Sequence, residues 1–389
     1  MSAQTVADRQ PASAPDLWGH PRLLWMLLAV TVGLNFAFYG FRAFLAPYAA
    51  EAFFSGLPQA EALKQANLLF AGFGALTYAT AIIGGWVADN VIGEVQALRL
   101  SLWLATIGLV GMAAPSREVF TLALAFFVLA AGLGIPLTVL IGRNYAMDDS
   151  RRDAGYTLFY LAINLGGFIA PFVCAAWIGV HYGYRWGFVA AAFGMAVGAL
   201  IFEWRHRRVP GAGDKVRYKR PWSTPVVVLG TIALIYPCAL LLSHPEAMTI
   251  AVYTLMGVLV LYFVVSSLRR GEGVQGRRYI ALLLLFVAMV LFWALSLLSA
   301  SALNFFARDY VAPLWQGSLP VLQLPWSFTL FQSVNPLYIL ILAPFIAMLW
   351  PWLDKRGINP STPRKFGIGL LLVALGYGVL LYAVHYQQL

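Results

Sequence analysis

Apolar residues run along this chain in long unbroken blocks, separated by short polar breaks that carry most of the charge. Block after block reaches twenty residues or so, the length a helix needs to cross roughly 30 Å of hydrocarbon. The blocks are continuously apolar, so helices are predicted and not the alternating strands of an outer-membrane barrel. Eleven spans are expected, at about 24–48, 66–88, 97–114, 119–142, 156–180, 184–204, 223–243, 247–268, 279–305, 327–350 and 366–386. The breaks organise them. Residues 1–23 read as a polar cytoplasmic tail and 24–204 as a six-helix bundle. A basic linker with Pro and Gly, 205–222, precedes an apolar hairpin, 223–268, turned at Ser243-His244-Pro245-Glu246. The remainder, 269–389, holds three helices. The connection 306–326 carries Pro313, Pro320, Pro325, Trp315 and Trp326, and interfacial aromatics suit that level.

Composition agrees with the pattern: 61% of residues are hydrophobic and 11% charged, against about 25% charged in a soluble domain. The formal net charge of +10 raises the question of nucleic acid, and its placement answers it. Reading the loops alternately puts Arg9, Arg22, Arg99, Arg143, Arg151, Arg152, the run from Arg205 to Arg220, Arg269, Arg270, Arg277, Arg278, Lys355, Arg356, Arg364 and Lys365 on one side. The other side has Lys64, Arg117, Arg185 and Arg308, and Arg42 falls inside a span. This is the positive-inside asymmetry of a polytopic inner-membrane protein, with some attraction to anionic lipid. It places the N-terminus in the cytoplasm and, with an odd number of spans, the C-terminus outside. No nucleic-acid role is expected. The first residues lack the charged-then-apolar layout of a cleaved signal, so the first span reads as an uncleaved anchor. Cys174 and Cys238 both lie in apolar spans and read as free buried thiols, with no metal site and no cofactor implied.

Three stretches are more specific than hydropathy. Gly84-Gly85-Trp86-Val87-Ala88-Asp89 ends the second span and looks like the Gly-rich, Asp-containing loop of the major facilitator superfamily. Arg151-Arg152-Asp153-Ala154-Gly155 leads into Phe159-Tyr160, Ile163-Asn164-Leu165-Gly166 and Ala170-Pro171. Phe331-Gln332-Ser333-Val334-Asn335-Pro336-Leu337 precedes Ala343-Pro344, and Ser361-Thr362-Pro363 precedes Lys365-Phe366. With Phe38-Tyr39-Gly40 and Phe292-Trp293-Ala294, these resemble the proton-dependent oligopeptide transporter family of the major facilitator superfamily. The resemblance runs from about residue 24 to 386. It implies an all-α integral membrane fold of the facilitator type, six helices, then the two extra helices of bacterial members, then part of a second bundle.

The departures from that pattern are as informative. Family members carry a Glu-x-x-Glu-Arg run on the first helix, used for proton coupling and the peptide carboxylate; aligned through Tyr39-Gly40, those positions here are Thr31, Leu34 and Asn35. A Lys before a Pro on the fourth helix is replaced by Ile135 before Pro136, and a Glu-Gln after the Phe-Trp motif by Leu297-Leu298. The basic residues usual after Asp89 give way to Gly93-Glu94-Val95-Gln96. The resemblance covers nine of the family's twelve bundle helices, so the second bundle is expected to be incomplete, with an open flank.

Buried ionisable groups in membranes are costly and usually functional. Here the one plainly internal member is Arg42, which does not titrate at accessible pH. The histidines at 20, 181, 206, 244 and 385 fall in loops or at helix ends. An interior without carboxylate or histidine has no evident proton carrier and no acid for a peptide ammonium. Asn35, Tyr39, Arg42, Asn164, Trp293 and Asn335 are the candidate polar cavity. The asparagines either bind a small neutral solute or bridge helices by hydrogen bonding. Arg42 either meets an anion or snorkels to the interface. Gly84, Gly85, Gly132, Gly134, Gly166 and Gly167 are expected as close-packing points; Gly84, Gly85 and Asp89 are a remnant of the family's gating loop, with Asp89 either gating or capping and tethering the second-to-third loop. No nucleophile–base pair, metal cluster or phosphate loop suggests an enzyme. Two functions stay open. The one the sequence favours is an accessory subunit packed, through its open flank, against another membrane protein or a second copy. The other is a transporter uncoupled from protons, handling a neutral or lipid-like solute or residual oligopeptides.

Overall fold

The computed structural model describes residues 16–149, 151–210, 216–269, 274–319 and 323–387. The tail as far as residue 15 with Arg9, the linker stretch 211–215 with Lys215, the loop 270–273 with Arg270, and Pro320 lie outside the described residues, as does the side chain of Arg277. Ten helical segments among the described residues are long and apolar enough to cross a membrane.

The chain opens with a two-strand ribbon, β1 (Asp16–Leu17) and β2 (His20–Pro21), that turns into α1 (Arg22–Arg42). The expected first span ends there: Phe44 breaks the helix and a short α2 (Leu45–Phe53) follows. Next come α3 (Gln59–Val87), α4 (Glu94–Gly111), α5 (Arg117–Gly132), α6 (Pro136–Gly142), α7 (Arg152–Ala170), α8 (Val180–Tyr182), α9 (Tyr184–Arg205) and α10 (Ser223–Ser243). They are followed by α11 (Pro245–Arg269), α12 (Val274–Leu297), α13 (Ala302–Tyr310), α14 (Phe331–Lys355) and α15 (Thr362–Gln387). α4 is the expected span outside the ten. Glu94, Gln96 and Arg99 in its first two turns lower its hydropathy, yet it packs between α5 and α9 like any bundle member.

Two departures from regular helix have local causes. Pro171 lacks the amide that would continue α7 and crowds the preceding turn, and the chain passes on through wide π-type turns over Pro171–Gly179. A second wide turn, Ala88–Ile92, ends at Gly93, whose φ of 89° reverses the chain into α4 and is open to glycine at no steric cost.

Backbone contacts divide the chain into two units, one holding α1–α10 and residues 315–340, the other residues 244–314 and 341–389. The hairpin 223–268 is thereby shared out: α10 packs on α5 and α3 in the first unit, and α11 belongs to the second. In lipid no hydrophobic force drives helices together, so close backbone approach and dispersion must. The first unit shows both. A Cβ on Gly33 would stand 2.8 Å from the Gly194 carbonyl, and one on Gly166 would stand 2.6 Å from the Val32 carbonyl. These fix α1 against α9 and α7. Gly84 and Gly132 meet backbone to backbone, joining α3 to α5, where Thr80 Oγ1 also donates to the Val128 carbonyl at 3.1 Å. Phe41, Phe73, Phe120, Phe127 and Phe188 cluster between α1, α3, α5 and α9, with Phe41–Phe73, Phe41–Phe127 and Phe120–Phe188 edge to face and Phe73–Phe127 tilted. Each such pair contributes about 0.5–1.5 kcal/mol beyond burial.

The connection expected at 306–326 is partly built. α13 runs to Tyr310, and β3 (Ser318–Leu319) pairs antiparallel with β4 (Leu324–Pro325). Trp315 and Trp326 stack edge to face at 4.9 Å, and with Leu324 and Leu330 they cover Ala176 and Phe172. In the second unit α12 packs against α11 and α15, and Tyr377 donates to the Leu295 carbonyl at 2.8 Å. The expected span 279–305 breaks at a 3-10 turn, Leu298–Ala300, before α13.

Candidate functional site

The first unit gathers most of the candidate residues where α1, α3, α7 and the start of α14 meet. Arg42, at the last turn of α1, is half-buried. Its guanidinium lies 5.7 Å from the ring centroids of Tyr39 and Phe70 and 5.8 Å from that of Phe38. Among the described residues no carboxylate pairs with it. Each ring face gives a cation about 0.5–1 kcal/mol, more where water is excluded, which is less than an ion pair in the same place would give.

Tyr39 lies one turn back. Its ring would touch a Cβ on Gly167 at 3.3 Å, and the Pro336 ring would touch it at 3.4 Å. Tyr78 of α3 and Tyr160 of α7 are neighbours of Tyr39. Ser333 Oγ donates to the Phe168 carbonyl at 2.8 Å and pins α14 to α7. Ser333 and Pro336 are buried, and Asn335 between them is exposed.

Asn35 and Asn164 bond within their own helices. Asn35 Nδ2 donates to the Thr31 carbonyl and Asn164 Nδ2 to the Tyr160 carbonyl, both at 2.8 Å and both four residues back in the same helix. A back-bonded amide satisfies its own donor and leaves the interhelical work to smaller groups, here Ser333 and Thr80. Those hydroxyls were not distinguishable in sequence from other Ser and Thr in spans, because their partners are set by the crossing register.

The positions where the family pattern has charge are settled in apolar or self-satisfied surroundings. Thr31 is fully buried and its hydroxyl donates to the Leu27 carbonyl at 2.7 Å. Leu34 is half-buried, and Ile135 is exposed just before α6. Trp293 and Leu297 lie on α12 in the second unit, Trp293 exposed and Leu297 half-buried.

The second-to-third loop is tethered, and not by the residue expected. Asp89 is exposed on the wide turn after α3. Glu94 instead pairs with Arg143 at 2.7 Å, the Tyr218 amide donates to the Asn90 carbonyl at 2.8 Å, and Gly93 faces Val216. A second ion pair the sequence reading passed over joins α4 to α9: Arg99 reaches both Glu203 oxygens at 2.6 Å. Of the expected packing glycines, Gly85 meets nothing within 4 Å, whereas Gly134 faces the Ser101 hydroxyl. Cys174 and Cys238 are both free and buried.

Comparison with known proteins agrees with the geometry. The family model described as "PTR2: POT family" matches residues 96–385. Uncharacterized transporter YclF of Bacillus subtilis (strain 168) is 32% identical over 94% of this chain and 74% of its own length. Peptide transporter YePEPT of Yersinia enterocolitica is 31% identical over 95% of this chain and 75% of its own. A Di-/tripeptide transporter of Lactococcus lactis subsp. cremoris is 31% identical over 92% and 75%. Among solved structures, a mutant peptide transporter POT in complex with alafosfalin superposes with a TM-score of 0.77 at 32% identity, over 96% of this chain and 76% of that one. A POT family transporter in complex with 5-aminolevulinic acid gives 0.78 at 29%, over 96% and 78%. Motifs, helices and relatives agree: the chain is a multi-pass membrane protein that belongs to the POT family.

Proposed function

We propose that this protein carries small peptides, or solutes bearing a peptide's carboxylate, across the membrane without drawing on protons through its first helix. One observation carries the reading. α1 contains no Asp, Glu or His, yet it holds Arg42 half-buried against three aromatic rings with no carboxylate partner among the described residues. A guanidinium so placed is a fork for a carboxylate. A helix whose side chains neither gain nor lose a proton near neutral pH has nothing to exchange a proton with when the substrate arrives. The substrate class comes from the relatives named as peptide and di-/tripeptide transporters.

This reverses the order suggested by the sequence. The accessory-subunit reading remains the second: Leu34 and Ile135 in place of charge also suit a chain that packs against another membrane protein or a second copy in the bilayer. Flux separates the two. Purified protein in liposomes preloaded with alanyl-alanine is expected to take up labelled alanyl-alanine by counterflow. Arg42→Gln removes a charged hydrogen bond of about 1.5–3 kcal/mol, so counterflow should fall at least tenfold. Absence of counterflow from folded protein that co-purifies with a stoichiometric membrane partner would favour the accessory role. The basic loops argue for a cytoplasmic N-terminus with α15 ending outside; reporter fusions after Gln387 would test that orientation.

A further inference from the structure

A cleft at the basic end of the first unit has a character that transport does not call for. Between the start of α1 and the end of α9 lies a groove of about 230 Å³, lined by Arg22, Leu23, Met26, Ile201, Trp204 and Arg205. Its charge is of one sign. Among the described residues neither Arg22 nor Arg205 has a carboxylate partner. Glu203, the nearest acid along α9, has both oxygens taken by Arg99 at 2.6 Å. The helix ends add little, because α1 begins and α9 finishes there and their dipoles oppose one another.

The groove's other components form a vertical sequence. The Arg205 guanidinium rests 4.5 Å from the Trp204 ring centroid, and Trp204 is 76% exposed. Trp18, also highly exposed, stands edge to face with Trp25 on the first turn of α1. Exposed tryptophans at helix ends mark the headgroup level. Leu23, Met26 and Ile201 line the same groove as an apolar wall. Charge at one level and hydrocarbon along the same cleft match the two parts of a phospholipid. A larger groove of about 730 Å³ at the other end of the unit is lined by both Glu51 and Arg185, so it selects no charge.

We infer that this groove between α1 and α9 is a binding site for an anionic phospholipid of the membrane's basic-side leaflet. Arg22 and Arg205 hold the phosphate, Trp204 covers the glycerol region, and an acyl chain lies along Leu23, Met26 and Ile201. Basic pockets between membrane helices are suited to such headgroups. The site is independent of the transport reading, since none of its residues is near Arg42 in sequence or assigned to substrate.

The test uses detergent-solubilised full-length protein titrated with phosphatidylglycerol, and with phosphatidylcholine as the neutral lipid, read by native mass spectrometry. Phosphatidylglycerol is expected to be retained in preference. A surface arginine contributes roughly 1 kcal/mol to anionic-lipid attraction, so Arg22→Gln and Arg205→Gln should each weaken retention about fivefold and the pair about thirtyfold. The control pair Arg207→Gln with Arg208→Gln removes equal charge outside the groove and should change retention less than twofold. Trp204→Ala, which keeps every charge, should also weaken it. Equal losses from the two double variants would overturn the site in favour of diffuse attraction. So would equal retention of the neutral lipid, or full displacement by millimolar inorganic phosphate, which would mean a soluble anion and not a lipid. If the double variant does not fold, the exposed Arg22→Gln alone decides by the same criterion.

Discussion

Replacing Gly166 by alanine tests the contact that positions the candidate site. The new Cβ would stand 2.6 Å from the Val32 carbonyl oxygen, 2.8 Å from the Phe36 amide nitrogen and 3.1 Å from Asn35 Cβ. Two of the three are backbone atoms, so no side chain can rotate away and α1 must move off α7. Overpacking of this kind costs about 1–3 kcal/mol. Alanine also gains about 1 kcal/mol over glycine within a helix, which would mask part of the cost. Gly74→Ala provides the correction: Gly74 lies inside α3 and meets nothing within 4 Å, so that variant shows the helix gain alone. The difference between the two isolates the steric cost, about 1–3 kcal/mol, measurable by reversible unfolding in mixed detergent–dodecyl sulfate micelles. Gly167→Ala should fall between, because it meets the Tyr39 ring and Pro336 at 3.3–3.4 Å and a ring can yield. Equal stabilities for Gly166→Ala and Gly74→Ala would refute backbone contact between α1 and α7.

Ser333→Ala should lower stability by about 0.6–1.7 kcal/mol, the range for hydrogen bonds between membrane helices; an unchanged unfolding curve would remove Ser333 as the pin between α14 and α7. Glu94→Gln should raise hydrogen exchange across residues 89–96, while Asp89→Asn leaves it unchanged, and the reverse order would return the tether to Asp89. Cys174 and Cys238 should resist N-ethylmaleimide in the folded protein and react after denaturation, because both are buried; rapid native labelling of Cys174 would contradict its packing against Gly40.

What could be read from the sequence followed from what lipid demands of a chain. Every expected span has its helix, because unbroken apolar runs have no other way to satisfy their backbone in hydrocarbon. The breaks were less legible. The break at Phe44 falls where Pro47 lacks the amide that would bond back to Ala43, a signal hidden inside a continuous apolar run, and the pairing of Ser318 with Pro325 depends on Trp315 and Trp326 closing over Ala176, contacts remote in sequence. At the candidate site, Tyr39, Arg42, Asn164 and the α14 motif are indeed carried to neighbouring helices of one unit. Whether an asparagine bonds across or back along its helix depends on a rotamer, and Asn35 and Asn164 both turn back. Gly33 and Gly194 also pack closely, with Cβ positions 2.8 Å from the Gly194 carbonyl and against the Phe36 ring, and the crossing of α1 with α9 is what reveals Gly33.

The central claim is that substrate moves here without protons moving through α1. Its most direct test follows internal pH with trapped pyranine while alanyl-alanine enters liposomes containing the purified protein, with no membrane potential imposed. Net entry of labelled peptide down its gradient is expected with no acidification beyond that of protein-free liposomes. Acidification that tracks peptide entry and is abolished by Arg42→Gln would contradict it.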